Sequence, residues 1–335
     1  MQNLPLKLPW DEPGWHDQAA EWIFAQLAAN GWHAIAPVET VHQRIWSVFM
    51  RIPTDKGTAF FKAPAPPYYE APLTQALARW RPDCTTPLLG IDLERGWLLS
   101  ADAGSTLRSI GQSPAQVDHW LKALPVYAGF QIEMAEHVDE LLSFGTPDRR
   151  LAVLPGLYSQ LLEETGSLRI GLELGLTPEE YRALLDLRPR FVDLCAELDS
   201  IGLPATLTHE EFHENNVLFD GERYVYTDWS DCSVAHPFFS MIGTLRPTAY
   251  WLKLEEYGPE MMRMRDAYLE PWTKFASREQ LLSVFSLAYR LGMANRSLSW
   301  NRVLSPLTEE QIEPYNDSVP GWLQDFLQAE MAQKK

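Results

Sequence analysis

The chain has 335 residues, of which 46% are hydrophobic and 12% aromatic, a composition typical of a well-packed globular protein with one large or two medium domains. Its formal net charge of −17 disfavours partners with anionic surfaces, so neither nucleic acid nor a membrane is expected as a partner. The cysteines Cys84, Cys195 and Cys232 lie far apart, which argues against a disulfide framework and favours a reducing compartment.

Residues 1–9 contain no apolar core of the kind found in signal peptides, and no apolar run reaches the length of a membrane span. Together with the scattered cysteines, these features predict a cytoplasmic protein. The oligomeric state stays open, because nothing in the sequence bears on it.

The first element predicted along the chain is an amphipathic helix that begins at the candidate N-cap Asp11 and ends before Gly31. Strands follow it. Residues 45–52 and 58–63 are rich in β-branched and aromatic residues, and they flank a good hairpin turn at residues 55–57.

A short helix over residues 69–80 and a second hairpin over residues 88–99 come next. After residue 101 the pattern is mainly helical. Helices are predicted over residues 114–136, 149–165 and 177–200. One hairpin follows over residues 217–227, and helices are predicted again after it, to the end of the chain. The pattern therefore predicts an α+β fold of two lobes, with a small sheet-rich lobe at residues 1–101 and a large helical lobe at residues 102–335.

The most informative stretch is residues 209–218, His-Glu-Glu-Phe-His-Glu-Asn-Asn-Val-Leu, which is followed by Tyr-Thr-Asp-Trp at residues 226–229. It places a carboxylate at Glu211, an amide at Asn216 and a second carboxylate at Asp228. Phosphoryl transfer from ATP requires such a set, because one carboxylate accepts the proton of the attacking hydroxyl while an Asn and an Asp hold magnesium. Magnesium prefers hard oxygen ligands and keeps several waters, so these two ligands and the phosphates suffice.

This stretch resembles the catalytic loop of the phosphotransferase family typified by aminoglycoside and choline kinases. That loop usually reads His-Gly-Asp-Leu-His-x-x-Asn-Val-Leu and is followed by Ile-Asp-Trp or Ile-Asp-Phe. The resemblance implies a protein-kinase-like fold, ATP and magnesium as cofactors, and a small acceptor with a hydroxyl group. It also implies Glu211 as the catalytic base, with Asn216 and Asp228 as the metal ligands.

The segment from Trp46 to Glu70 resembles a second pattern of the family, Trp-Ser-x-x-x-Arg-x-Pro…Phe-Lys-Ala…Tyr-Glu-Ala. This implies that Lys62 binds the α- and β-phosphates of ATP and that Glu70, at the start of the next helix, holds the lysine. The alternative for both residues is a pair of solvated surface charges.

Residues 97–104 resemble the hinge of the family, which implies that backbone groups from Ser100 to Asp102 contact adenine. The turn between the first two strands, at residues 42–47, contains no glycine. Backbone N–H groups can cradle phosphates without a glycine pattern, so this turn does not exclude ATP.

Glu211 departs from the family pattern, which has Asp at this position. Glutamate carries its carboxylate about an ångström further, and misplacement of that size costs on the order of a hundredfold in rate. Two interpretations follow: a working kinase that uses Glu211 as its base, or a weakened nucleotide-binding relative that acts through a partner. We favour the first, because Lys62, Asn216 and Asp228 are all retained. The neighbouring Glu210 is expected to point the other way.

Residues 209–213 also match His-Glu-x-x-His, the motif of zinc hydrolases, with His209 and His213 as ligands and Glu210 as base. That chemistry requires a helix, so that both histidines share one face. Residues 202–208 contain proline and β-branched threonines, and a hairpin follows the motif closely. We therefore expect a loop here, and no zinc.

Several further residues have roles that only the resemblance suggests. Asp231 either supports the metal ligands or caps the following segment, whereas His209 and His236 are expected to be structural. The family builds its acceptor pocket from helices in the last third of the chain, which here lie near Tyr250, Tyr289, Arg290, Arg296 and Trp300.

Overall fold

The computed structural model of the protein describes residues 8–333, so residues 1–7 of the N-terminal segment considered above for a signal peptide lie outside the described part. The strands are β1 (Glu39–Gln43), β2 (Ser47–Thr54), β3 (Gly57–Pro64), β4 (Leu88–Asp92), β5 (Trp97–Ala101), β6 (Ser105–Thr106), β7 (Asp148–Arg149), β8 (Thr206–Thr208), β9 (Val217–Phe219), β10 (Tyr224–Tyr226) and β11 (Ser233–Ala235). The α-helices are α1 (Trp15–Ala29), α2 (Glu70–Trp80), α3 (Pro114–Met134), α4 (Val138–Ser143), α5 (Leu154–Glu163), α6 (Pro178–Asp186), α7 (Arg188–Asp199), α8 (Ile242–Leu252), α9 (Pro259–Leu269), α10 (Arg278–Leu304), α11 (Glu309–Ile312) and α12 (Ser318–Ala332).

The N-terminal part is a five-stranded antiparallel sheet with the order β1-β2-β3-β5-β4. Helix α1 packs one apolar face on this sheet, with Ala19, Ile23 and Leu27 buried at helical spacing. The helix begins later than predicted. Gly14, with φ 81°, precedes Trp15 as the N-cap, and Asp11 belongs to a separate 3-10 turn.

The C-terminal part is mainly helical, so the predicted α+β layout is confirmed. Two predicted details were wrong. The helix expected over residues 177–200 is two helices, α6 and α7, because Pro189 cannot donate a backbone hydrogen bond and so starts a new first turn. The helix expected from residue 149 begins at Leu154, and residues 148–149 form β7 instead.

The chain passes from one sheet to another between Ala101 and Ser105. Strand β6, which follows this connection, pairs with β9 in a three-stranded sheet of order β10-β9-β6. Gly104 has φ 109° in this connection, and a Cβ atom there would collide with the backbone of Phe219. We propose the division between the lobes at residues 101 and 102 on the basis of this crossing.

A third sheet, of order β7-β11-β8, supports the segment that carries the catalytic-loop motif. Strand β8 ends at Thr208, directly before the motif, and β9 begins at Val217, within its last two residues. The 27-residue helix α10 runs through the centre of this lobe and buries polar side chains, including Asn295, Arg296 and Ser299. Within residues 8–333, no helix has both the length and the apolar character needed to cross a membrane.

Candidate active site

A cavity of about 770 Å3 lies between the five-stranded sheet and the helical lobe. Its size is within the range of roughly 300–1,000 Å3 that is usual for sites binding small molecules. Its walls include all the residues predicted as catalytic base, nucleotide-binding groups and metal ligands, namely Lys62, Glu70, Ser100, Asp102, Glu211, Asn216 and Asp228. The structure therefore brings together residues that are up to 166 positions apart in the chain.

Lys62 is the buried centre of a charge cluster. Its Nζ lies 2.6 Å from Oε1 of Glu70 and 2.6 Å from Oδ1 of Asp228. The side chains of Lys62 and Glu70 are only 13% and 4% exposed, so they are not solvated surface charges. Burial opposes the charge of the lysine, but Asp228 and Glu70 outweigh it and raise the pKa of Lys62.

Asp228 is held in a strained backbone conformation, with φ 64° and ψ 66°. Such a left-handed conformation is costly for a residue other than glycine, and it is frequent at functional sites. Oδ1 accepts hydrogen bonds from Lys62 and from Ser230 Oγ, the latter at 2.8 Å. Oδ2 accepts none from any residue in the described part of the chain. Burial opposes ionisation, yet Lys62 lowers the pKa of Asp228.

Asn216 offers a second free oxygen next to Asp228. Its Nδ2 donates to the backbone oxygen of Glu211 at 2.9 Å, and its Oδ1 has no hydrogen-bond partner among residues 8–333. The N–H of Thr227 donates to the backbone oxygen of Asn216 at 3.1 Å, so the β9–β10 hairpin holds Asn216 and Asp228 close together. A carboxylate oxygen and an amide oxygen, both free and lining one cavity, fit the oxygen preference of Mg2+.

Glu211 is bound through both carboxylate oxygens. Oε1 accepts a hydrogen bond from Arg296 of α10, and Oε2 accepts one from His213 Nε2 at 3.0 Å. Burial opposes the negative charge, but Arg296 and His213 outweigh it and lower the pKa of Glu211 to about 2. Nδ1 of His213 accepts from the N–H of Asn215, which leaves the proton on Nε2. Glu211 is therefore an ionised and firmly oriented carboxylate.

The neighbouring Glu210 points away from the cavity into the protein, as expected. It is 1% exposed, and Nη1 of Arg149 lies 2.9 and 3.0 Å from its two oxygens. The hydroxyls of Ser233 and Ser299 also donate to it, and Arg149 donates to the backbone oxygen of Asn295. This network ties the loop before Glu211 to α10.

The His-Glu-x-x-His letters lie in a loop, as predicted. Nε2 of His209 donates to the backbone oxygen of Thr227 at 2.9 Å, while Nδ1 accepts from the N–H of Glu211 at 3.2 Å. Burial lowers the pKa of His209 to about 4, so this imidazole is neutral at pH 7. With Glu210 paired to Arg149, the three groups of a zinc motif do not converge on one point.

His236 is structural, as expected: its Nδ1 accepts from the N–H of Phe238, and burial lowers its pKa to about 3. Asp231 lines the cavity and pairs with Arg302 of α10, whose Nη2 lies 3.1 Å from its Oδ1. The main partner of Asp231 is therefore a cation. Neither of the two predicted roles, supporting the metal ligands or capping the following segment, describes this contact fully.

At the expected hinge, Ser100 and Asp102 line the cavity, but two amides of this stretch are used by the protein itself. The N–H of Ala101 donates to Pro87 O at 2.8 Å, and the N–H of Asp102 donates to Thr58 O at 2.9 Å. The Asp102 carboxylate accepts from the N–H of Gly104.

Only two of the five residues named for the acceptor region, Arg296 and Trp300, line this cavity in the described structure. Tyr250 is 88% exposed on α8, Tyr289 bonds to Glu256, and Arg290 pairs with Glu330. Tyr289 and Arg290 lie on α10 but do not reach the cavity, because Tyr289 precedes the cavity-lining Arg296 by two helical turns, or about 10 Å along the helix axis.

The glycine-free turn between β1 and β2 also forms part of the cavity wall. The N–H of Arg44 donates to Ser47 O at 2.8 Å and closes the turn. Trp46, in the same turn, contacts the helical lobe, with its ring centre 6.4 Å from that of Trp300 and 5.3 Å from that of Tyr315.

A buried lysine between two acidic residues, a loop that carries an ionised carboxylate, and a hairpin with two free oxygens define a protein-kinase-like phosphotransferase. The model of the phosphotransferase enzyme family matches residues 18–266, and the chain belongs to this family. No curated protein shows significant similarity to the chain.

Solved structures of similar fold include kinases and antibiotic phosphotransferases. Choline kinase from Cryptosporidium parvum Iowa II has a TM-score of 0.61 at 11% identity, covering 97% of this chain and 93% of that chain. Choline kinase LicA from Streptococcus pneumoniae has a TM-score of 0.57 at 13% identity, covering 94% and 99%. Macrolide 2′-phosphotransferase MphH from Brachybacterium faecium has a TM-score of 0.55 at 14% identity, covering 90% and 98%. These likenesses show the shared fold, and the family shows that the protein is a small-molecule phosphotransferase.

Proposed function

We propose that the protein is an ATP- and magnesium-dependent kinase that transfers the γ-phosphoryl group of ATP to a hydroxyl of a small acceptor. The observation that carries this proposal is the cluster of Lys62, Glu70 and Asp228, joined to Asn216 by one hairpin and open to the cavity. All three buried cysteines are free, and we propose the reducing cytoplasm as the compartment.

In this proposal Lys62 holds the α- and β-phosphates, and Glu70 fixes the lysine in place. Asp228 Oδ2 and Asn216 Oδ1 hold Mg2+, which when bound neutralises charge on the phosphates. Part of the backbone from Ser100 to Asp102 faces adenine, through groups other than the two amides already bonded within the protein. Lys62 is buried and charged before any ligand arrives, so little reorganisation is needed at the moment of reaction.

Glu211 orients the acceptor hydroxyl and receives its proton as the new oxygen–phosphorus bond forms and ADP leaves. A pKa of about 2 makes this carboxylate a weak base. The loose, metaphosphate-like transition state makes that acceptable, because such a reaction depends mainly on positioning and charge neutralisation. Arg296 and His213 remove the freedom that the extra methylene of glutamate would otherwise give.

A non-catalytic, nucleotide-binding relative that acts through a partner is the second candidate. One observation favours it: both carboxylate oxygens of Glu211 are already bound by the protein. Each oxygen keeps a further lone pair, however, so an acceptor hydroxyl can still donate to it. We therefore rank the kinase first.

Isothermal titration of MgATP into the parent and into Asp228→Ala tests the nucleotide site. We expect affinity to fall by at least about tenfold in Asp228→Ala, because it loses the ionised metal ligand. Glu222→Ala is the matched control, since this exposed glutamate lies in the same hairpin and outside the cavity. Undiminished affinity in Asp228→Ala, or no affinity in the parent, contradicts the proposal. ATP turnover with a panel of amino alcohols, sugars, aminoglycosides and uncharged aromatic alcohols then separates the two candidates.

A further inference from the structure

Beside Glu211 the cavity has an apolar, partly aromatic wall. Trp300 of α10 and Trp46 of the β1–β2 turn meet edge to face, with an interplanar angle of 82°. Val303, Pro306 and Leu307 continue this wall along the end of α10 and beyond it. A ligand with a flat apolar part therefore finds complementary surface here, next to the carboxylate that orients the hydroxyl.

The two carboxylates at this end are already neutralised by the protein. Glu211 is paired with Arg296, whose side chain is 7% exposed, and Asp231 is paired with Arg302, whose side chain is 26% exposed. A positively charged acceptor group would have to compete with these arginines for either carboxylate. Such competition is unfavourable, because the displaced arginine would lose its carboxylate partner in a largely desolvated part of the cavity.

The aromatic rings at this end are likewise occupied by arginines. The guanidinium carbon of Arg296 lies 5.8 Å from the ring centre of Trp300, and that of Arg302 lies 5.4 Å from the ring centre of Tyr69. These distances are within the reach of cation–π attraction. A substrate ammonium group that sought the face of Trp300 would therefore meet a like charge.

A third arginine adds to the positive charge of this region. Arg44 is exposed on the turn that carries Trp46, lines the cavity, and forms no ion pair within the described part of the chain. The other cavity carboxylates lie elsewhere. Glu70 and Asp228 share Lys62, and Asp102 belongs to the segment between the lobes, where its amide bonds to β3.

We infer that the acceptor is an alcohol with a flat apolar part and without positive charge. The inference rests on the proposed function, because it names the acceptor of that reaction. It excludes, as acceptors for this chain, cationic alcohols such as choline and ethanolamine, which appear in the names of proteins of similar fold. The arginines exclude an ammonium group through like-charge repulsion, while Trp46 and Trp300 pack against the apolar part.

The test is a matched pair of probes, 4-(hydroxymethyl)benzamide and 4-(hydroxymethyl)benzylamine, which share a flat ring and a primary hydroxyl but differ in charge. Their binding is measured by titration into the full chain loaded with Mg2+ and a non-hydrolysable ATP analogue. We expect the uncharged amide to bind at least about tenfold more tightly than the amine. The reason is that the ammonium group of the amine is repelled by the arginines, because like charges a few ångströms apart near a protein surface interact strongly. Equal binding, tighter binding of the amine, or no binding of the amide at millimolar concentration overturns the inference.

Two variants test whether the arginines are the cause. Arg302→Met releases the Asp231 carboxylate, and Arg44→Glu reverses an exposed charge without disturbing the core. Each should reduce the preference for the amide by several fold, mainly by improving the binding of the amine. Lys56→Glu is the control for Arg44→Glu, since it makes the same charge change on an exposed turn of the same lobe outside the cavity. A preference that survives both variants overturns the inference.

Binding and turnover separate this inference from the proposed function. If the amide is preferred but no ATP is consumed with any acceptor, the kinase proposal fails and the selectivity of the cavity stands. If ATP is consumed and the amine is the better substrate, the kinase proposal stands and this inference is wrong.

Discussion

Replacing Arg149 with Met removes the cation that is paired with the buried carboxylate of Glu210. The two side chains are 5% and 1% exposed, and Nη1 of Arg149 contacts both carboxylate oxygens. Two serine hydroxyls remain on Glu210 after the change, but no positive charge remains in contact with it. Breaking a buried pair from one side costs about 3–5 kcal/mol, because an uncompensated charge stays in the core.

The double variant Arg149→Met/Glu210→Gln should recover most of that loss, because removing both charges also removes the desolvation penalty. Arg182→Met is the matched control. Its ion pair with Glu179 is 68% and 75% exposed, and such pairs contribute little to stability. The measurement is urea-induced unfolding of the four proteins at pH 7, followed by tryptophan fluorescence and circular dichroism.

The pH dependence supplies a second readout. In the parent, burial opposes the ionisation of Glu210, but Arg149 lowers its pKa below the ordinary value. The contribution of this pair is therefore present above the unfolded pKa and is lost as pH falls through the folded pKa. In Arg149→Met the pKa rises, so the deficit relative to the parent should shrink between pH 7 and pH 5. A single variant as stable as the parent, or a double variant no better than the single one, refutes this reasoning.

Two further predictions concern Glu211. Glu211→Gln should lower turnover of an identified acceptor on the order of a hundredfold, while the affinity for MgATP stays nearly unchanged. Glu211→Asp should retain activity. Unchanged turnover in Glu211→Gln contradicts the assignment of Glu211 as the catalytic base. Arg296→Met should raise the pKa of Glu211 from about 2, because burial then meets less opposition. Activity of this variant should therefore fall more steeply between pH 8 and pH 5 than activity of the parent. Parallel profiles of turnover against pH would show that Arg296 does not set the charge of Glu211.

Local sequence was sufficient for the parts of the site that depend on short spacing. Asn216 and Asp228 lie on either side of one hairpin, and a hairpin necessarily returns its two ends to the same place. Lys62 was predicted on its strand for a similar reason, because the turn at residues 55–57 fixes the register of β2 and β3. The sheet-then-helix order likewise predicted two lobes, although strands of two or three residues, such as β7 and β11, are too short for any periodicity to show.

The amino-acid sequence by itself thus determined the fold class and the types of residue that line the cavity, since periodicity and turn chemistry are local properties. Only the tertiary structure decided how Glu211 and Glu210 are held. Their arginine partners lie 85 and 61 positions away, and an arginine in a helix or a loop has the same local signature whether it is solvated or buried. Whether a charge can be buried depends on an oppositely charged partner from a distant part of the chain, and the spacing of neighbouring residues does not reveal that partner.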